Sequence, residues 1–344
     1  MRVAIVDSQV AFIHGGAELL RSKLAEGFRA HGHDVDLVLL PLAPSAPEAL
    51  ASMLDFASAL EPAKWDAPPD AVVALRWPAY LVRHPAKRVW LLHQFRQYYE
   101  YYGQTRSASN DAARLDAVRA RVVESDTQAL REANLWVMSN RIAERLREFN
   151  GVEASRVLLP PLPRPDGFYR GRYDHYVFAP SRLEKHKRQG LLIEAMAHVK
   201  ADVKAVIAGE GGAYEAYARR IEALGLRERV LLTGRLDDAV QAAWYANSLA
   251  VFFGPEDEDY GYITLEAMAS GKAVITCRDS GGPLMFVEEG ANGHVVEPDP
   301  HAIAERIEAL AAAPQRARAM GECGYDKLQK LDLSWARTAG ALLA

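Results

Sequence analysis

Two segments of the chain concentrate side chains able to manage the charge of a phosphorylated ligand. PSRLEKHKRQGLLIEAM places Arg182 and Lys187 five residues apart, where an apolar strand gives way to a helix, and two cations there would neutralise a diphosphate. Lys185 and Arg188 stand in the same run, so a solvated basic patch is the alternative reading. GPEDEDYGYITLEAMASGKAVI separates Glu258 from Glu266 by seven residues, with Gly261 between them. The second glutamate is expected in the first turn of a helix opened by Thr264 or a neighbour. A carboxylate there would accept both hydroxyls of a ribose while the free N–H groups of the turn face a phosphate. It would equally complement the helix dipole with no ligand at all.

Two glycine-rich turns and one histidine join them. HGGAELL puts Gly15 and Gly16 after the first apolar run and before a helix, where the backbone can approach a ligand closely or simply turn tightly. AGEGG, at Ala208–Gly212, follows its own strand and would border a nucleotide or serve as an ordinary loop. His93 ends the run VWLLH, a position where a satisfied structural histidine is as natural as a reactive one.

Loops after strands bind ligands in open α/β sheets, and the sequence supplies such sheets. Apolar runs alternate with amphipathic segments of helix length, the pattern of parallel strands covered by helices. In the first half we expect strands at Val3–Val6, Val35–Leu40, Ala71–Leu75, Val89–Leu92, Leu135–Val137 and Val157–Leu159. Helices are expected near Gly16–His31, Ala113–Glu132 and Asn140–Asn150. In the second half strands are expected at Tyr176–Ala179, Lys204–Ala208, Val230–Leu232, Ala250–Phe253, Ala273–Thr276 and Gly293–Val296. The fold class is α/β, with two Rossmann-like doubly wound parallel sheets. Between the halves runs LPPLPRPDGFYRGRYDHY, where Pro160, Pro161, Pro163 and Pro165 preclude a continuous helix or strand. This gives domains of 1–165 and 166–330, with a closing helix at 331–344, SWARTAGALLA, expected to return to the first domain.

Composition narrows the classes. At 344 residues the chain exceeds what one core usually supports. Net charge of −4 argues against nucleic acid as a main partner. No run approaches a membrane span, and MRVAIVDSQV lacks the pattern of a secretory signal, so a cytoplasmic protein is expected. The two cysteines, Cys277 and Cys323, have no metal-binding or redox spacing.

SRLEKHKR resembles the Arg-x4-Lys phosphate loop, and EDYGYITLE the Glu-x7-Glu motif, of glycosyltransferase family 4 in the GT-B fold. AGEGG, LLTGRLDD, SGKAVIT, GGPLMFVEEGANGHVVEPDP, the early GGAE and the histidine of LLHQFR fall in the family's order. The resemblance implies two domains facing across a cleft, a nucleotide-diphosphate sugar as donor, and transfer with retention. It assigns Arg182 and Lys187 to the diphosphate and Glu266 to the ribose. Glu258 and the backbone of Gly261, Tyr262 and Ile263, beside Thr264, would meet the transferred sugar and the phosphates. Leu236 would border the base, Gly209 the nucleotide, Gly16 the phosphates from the first domain, and His93 the reacting centre. Many relatives carry a glutamate where this chain has Met285, with Glu288 farther on.

The acceptor would be a glycan or a lipid-linked molecule. HQFRQYYEYYGQTRSASND offers Arg96, Tyr98, Tyr99, Tyr101, Tyr102 and Arg106 for it, since tyrosine rings stack on sugar faces; a structural role suits half of them equally. Arg83, His84, Lys87 and Arg88 would favour an anionic membrane surface, or form an ordinary solvated patch. No metal is expected, because two cations already answer the diphosphate. The Asp-x-Asp spacings at Asp34–Asp36 and Asp257–Asp259 are an edge of an amphipathic strand and part of an acidic run. A sugar-nucleotide epimerase and a non-catalytic nucleotide-sugar-binding protein remain alternatives. A nicotinamide-dependent dehydrogenase fits less well, because AIVDSQVAFIHGG lacks the Gly-x-Gly-x-x-Gly turn.

Overall fold

The structure is a computed structural model and describes residues 1–12, 15–42 and 47–344; His14 of the HGGAELL segment lies outside them. The chain divides into two compact units, Met1–Pro163 with Leu333–Ala344, and Arg164–Asp332.

In the first unit, strands β1 (Arg2–Gln9), β2 (Asp34–Pro41), β3 (Ala71–Ala74), β4 (Lys87–Leu91), β5 (Asn134–Val137) and β6 (Arg156–Val157) form a sheet in the order β2-β1-β3-β4-β5-β6. Every pairing in it is parallel. Helices α1 (Gly16–Ala30), α2 (Pro47–Ala59), α3 (Tyr102–Ser107), α4 (Ala112–Arg131) and α5 (Asn140–Asn150) connect the strands. The inner strands are buried on both faces, which is why β1 and β3 read as unbroken apolar runs instead of alternating ones. Helix ends follow local chemistry. Asp111 caps α4 by accepting from the Arg114 N–H at 3.0 Å, Ser139 caps α5 through Ile142, and Gly151 closes α5 at φ 58°. No helix is expected from the sequence at α2, although its buried Leu50, Leu54 and Ala57 recur at helical spacing.

The second unit repeats the design with a different strand order. Strands β7 (Tyr176–Pro180), β8 (Lys204–Ala208), β9 (Val230–Gly234), β10 (Ala250–Phe252), β11 (Ala273–Cys277) and β12 (Gly293–Val296) lie parallel in the order β12-β11-β10-β7-β8-β9. Helices α6 (Gln189–Met196), α7 (Tyr214–Ala223), α8 (Asp238–Asn247), α9 (Tyr262–Ala269), α10 (Pro300–Ala312) and α11 (Pro314–Leu331) cover it. Alternate strand residues build two cores. Val177, Ala205, Ile207, Ala250 and Ile275 belong to one, while Phe178, Val206, Val251 and Val274 belong to the other, as the two-residue period of a strand requires. The last helix, α12 (Trp335–Leu343), belongs to the first unit and lies on α1. There the absence of a side chain at Gly27 admits Trp335, whose carbonyl would stand 3.0 Å from an added Cβ, and the Trp335 indole donates to the Leu162 carbonyl at 3.1 Å.

A buried carboxylate on α4 stands out in the first unit's core. Asp126 of α4 is fully buried and accepts from the Tyr99 hydroxyl at 2.8 Å, beside Tyr80 and Trp77. Burial pushes its carboxyl up to about 7, against the downward pull of those neighbours. The folded state therefore holds a proton there that the unfolded chain releases near an ordinary aspartate value. Its contribution is full at acid pH and is lost as pH rises through about 7. Asp126→Asn is expected to remove that loss. By thermal unfolding the variant should melt above the native chain at about pH 8 and converge with it at about pH 4; a variant that melts lower at both would refute the assignment.

Candidate functional site

Strand order decides where each sheet can hold a ligand. In the second unit the order reverses between β7 and β10, so the loops leaving these two strands diverge and leave a crevice at their carboxyl ends. Those loops carry the two charged motifs. After β7 the chain passes Arg182 and a short turn, Lys185–Lys187, before α6 begins at Gln189. After β10 it passes Glu258 and reaches α9 through Gly261, at φ 87°. The structure brings them together: the Lys187 ammonium donates to Glu258 in a largely buried ion pair. Backbone bonds tie the same loops, with Glu256 N–H donating to the His186 carbonyl at 2.7 Å. Arg182 is exposed.

The AGEGG turn has a structural explanation. Gly209 and Gly211 have φ of 137° and 156°, and an added Cβ would fall 1.8 Å from the Ser181 carbonyl and 2.4 Å from that of Leu183. The glycines let the β8 loop lie directly against the loop of Arg182. Leu236 follows β9 and packs against the core beneath.

Glu266 requires a correction. Gly261 caps α9 in the left-handed region, so the helix opens at Tyr262 and not at Thr264, and Glu266 falls in the second turn. Tyr245 of α8 donates its hydroxyl to Glu266 Oε2 at 2.5 Å. Burial raises the Glu266 carboxyl above the usual glutamate range, while the Tyr245 hydrogen bond and the Arg164 guanidinium act against it. The Tyr262 hydroxyl and Thr264 Oγ1 are buried without a hydrogen-bond partner, and Ile263 is half-buried against the core. Met285 sits in the short turn after β11, and Glu288 pairs with Lys327 at 2.6 Å, so that carboxylate is engaged by α11.

In the first unit the order reverses between β1 and β3. The loop after β1 carries Gly15 and the exposed Gly16, which starts α1. A network missed in the sequence holds it. Buried Asp7 accepts from Arg21 at 2.9 Å and from Arg76 Nη2 at 2.7 Å. Arg76 also pairs with Glu18 at 3.0 Å, and Glu18 accepts from the Gly15 N–H at 2.8 Å. Burial pushes the Glu18 carboxyl up, but the Arg76 charge and the backbone bonds outweigh it and hold the group below its ordinary value. An aspartate inside an apolar strand and a glutamate three residues after Gly15 are the signals for this clamp.

His93 lies just past β4, half-buried, with Nδ1 2.7 Å from the Gln94 carbonyl. That contact requires the proton on Nδ1 and leaves Nε2 for another partner. The aromatic segment is mostly internal. Tyr98 is 1% exposed and stacks on Phe95, and Tyr99 is 3% exposed with its hydroxyl on Asp126, so neither ring offers a face to an acceptor. Tyr102 and Arg106 bond Asp116 at the surface, and Arg96 pairs with Glu100 at 2.9 Å. Of the expected basic patch, Arg83 is exposed, Lys87 donates to the Tyr80 carbonyl at 2.8 Å, Arg88 to that of Leu343 at 3.3 Å, and His84 Nε2 lies 3.2 Å from that of Pro69. Among the described residues no three metal-ligating side chains converge, and no helix is long and apolar enough to cross a membrane.

Residues 172–327 match the family model of glycosyl transferases group 1. That stretch holds Arg182, Lys187, Glu258 and Glu266. Among curated proteins the chain is similar to a D-inositol 3-phosphate glycosyltransferase of Segniliparus rotundus, 29% identical over 47% of this chain and 37% of that protein. It is also similar to a GDP-mannose-dependent alpha-(1-6)-phosphatidylinositol monomannoside mannosyltransferase of Mycolicibacterium smegmatis, 32% identical over 56% of each. The chain thus spans about half or less of the length of these relatives. Two solved structures align over nearly all of it: Anabaena HepE in complex with UDP and glucose, at a TM-score of 0.73 and 17% identity, covering 98% of this chain and 97% of that one, and sucrose-phosphate synthase from Thermosynechococcus elongatus, at 0.75 and 20%, covering 98% and 96%. The fold is that of GT-B glycosyltransferases.

Proposed function

We propose that this chain is a retaining, metal-independent glycosyltransferase. It moves a hexosyl unit from a UDP- or GDP-sugar to a glycan or lipid-linked acceptor, in the cytoplasm or at the inner face of the membrane, in synthesis of cell-surface polysaccharide or glycoconjugates. The observation that carries the reading is the Lys187–Glu258 pair at the strand-order reversal of the second unit, within the stretch that matches the family model. The named relatives act in sugar transfer, one of them with GDP-mannose, and the HepE complex holds UDP.

In this reading the bond from the anomeric carbon to the diphosphate breaks, and its electron pair goes to the leaving phosphate oxygen. Arg182, Lys187 and the N–H groups at the start of α9 stabilise that charge without rearranging. Glu266 holds the ribose and Glu258 orients the sugar. The acceptor hydroxyl forms the new bond to the anomeric carbon and passes its proton to the departing diphosphate. The first unit holds the acceptor.

The test is thermal unfolding with UDP, GDP and their sugars, followed by turnover with the donor that binds. A ligand held by the native state raises the midpoint, by about 2.7 kcal/mol of stability at a hundredfold excess over Kd. Turnover should persist in a chelating agent. A chain indifferent to every nucleotide, or turnover abolished by the chelator, would overturn the respective part.

A further inference from the structure

Arg188 occupies a backbone conformation that its residue type disfavours. It lies at φ 53°, between the turn that carries Lys187 and the first residue of α6. A side chain there is disfavoured relative to the ordinary region, and glycine would avoid the cost. What the arginine contributes is its guanidinium. Nε donates to the Gly254 carbonyl at 2.9 Å and Nη2 to that of Pro255 at 2.6 Å. Nη1 and Nη2 grip both oxygens of Asp279 at 2.9 and 2.6 Å. Gly254 and Pro255 begin the loop after β10, and Asp279 lies in the loop after β11. One largely buried fork thereby joins the three loops leaving β7, β10 and β11, which are neighbours in the sheet.

The joined loops form a small ladder of their own. Asp257 N–H donates to the Asp279 carbonyl at 3.0 Å, and Glu258 N–H to that of Ser280 at 2.9 Å. Glu258 is therefore fixed on the side that Arg188 braces, and Lys187 is the residue next to Arg188 in the chain. A planar fork with four short bonds sets this spacing, which a lysine ammonium or a bare glycine would not.

We propose that Arg188 is a positioning residue: it fixes the distance between the Lys187 ammonium and the Glu258 carboxylate, and through them the affinity of the second unit for a diphosphate. It touches no substrate. The affinity clause rests on the function proposed above, whereas the geometric clause does not.

Amine acetylation read residue by residue in the full chain separates the two. In Arg188→Gly, labelling of Lys187 should rise severalfold as its pairing loosens, while the buried Lys272 stays protected and reports an intact second unit. Binding of UDP or GDP should weaken by about tenfold. Asp279→Asn leaves the backbone at Arg188 untouched and should move Lys187 in the same direction by less; this variant decides the question if the glycine variant does not fold. Unchanged Lys187 labelling, or a parallel rise at Lys272, overturns the proposal. A native chain that binds neither nucleotide while Lys187 responds as stated would remove the ligand reading and leave the strut in place.

Discussion

Replacing Lys187 with alanine is expected to lower turnover by about a hundredfold or more while the chain stays folded. Losing one fixed donor to a charge that develops in the transition state typically costs about 3 to 4 kcal/mol, and each 1.4 kcal/mol is about tenfold in rate. The folded state loses less. The pair is largely but not fully buried, with 12% of the Lys187 and 18% of the Glu258 side chain still exposed, so the freed carboxylate keeps a route to water. Glu258 also remains held by its backbone bonds to the loop after β11. The measurement is kcat with the donor found by thermal unfolding, set beside the melting midpoint of the variant. Near-normal kcat would remove the role assigned to the ammonium. A large fall in the midpoint instead would show that the ion pair serves the fold.

The sheets were legible because their strands are buried on both faces: runs such as AVITC and KAVIA have little freedom to be anything else between glycine-rich turns. The charged motifs were legible because each follows such a run, and the strand order places those ends at the reversal. What the sequence withheld was partnership. Nothing in a single chain of letters pairs Arg76 with Asp7 across 69 positions or Arg188 with Asp279 across 91. Arg188 therefore read as one more member of a basic run. Tyr98 and Tyr99 failed differently, since an aromatic cluster after a strand has the same composition whether it faces solvent or fills the space above α4. The opening of α9 moved by two residues because Gly261 adopts the left-handed conformation, and spacing alone does not place a cap.

Glu266 carries the second large effect, and its environment gives that effect a pH signature. A ribose is held by accepting from its hydroxyls, which the ionised carboxylate does and the protonated form does less well. Burial raises the Glu266 carboxyl above the ordinary glutamate range, so affinity for UDP or GDP should fall on acidification, beginning at a higher pH than a solvated glutamate would give. Glu266→Gln should weaken binding by about tenfold or more, the worth of hydrogen bonds to a charged group, and should abolish that fall. The nucleotide's own phosphate also titrates, so the informative quantity is the difference between native and Gln profiles, measured by calorimetry from about pH 5 to about pH 8. Tyr245 sharpens the test. Its hydroxyl stabilises the ionised form through the 2.5 Å bond to Oε2, and Tyr245→Phe should move the fall toward neutral pH. A Gln variant with native affinity and a native profile would take Glu266 out of the site, and a Phe variant whose fall moves toward acid would reverse the sign given to the hydrogen bond.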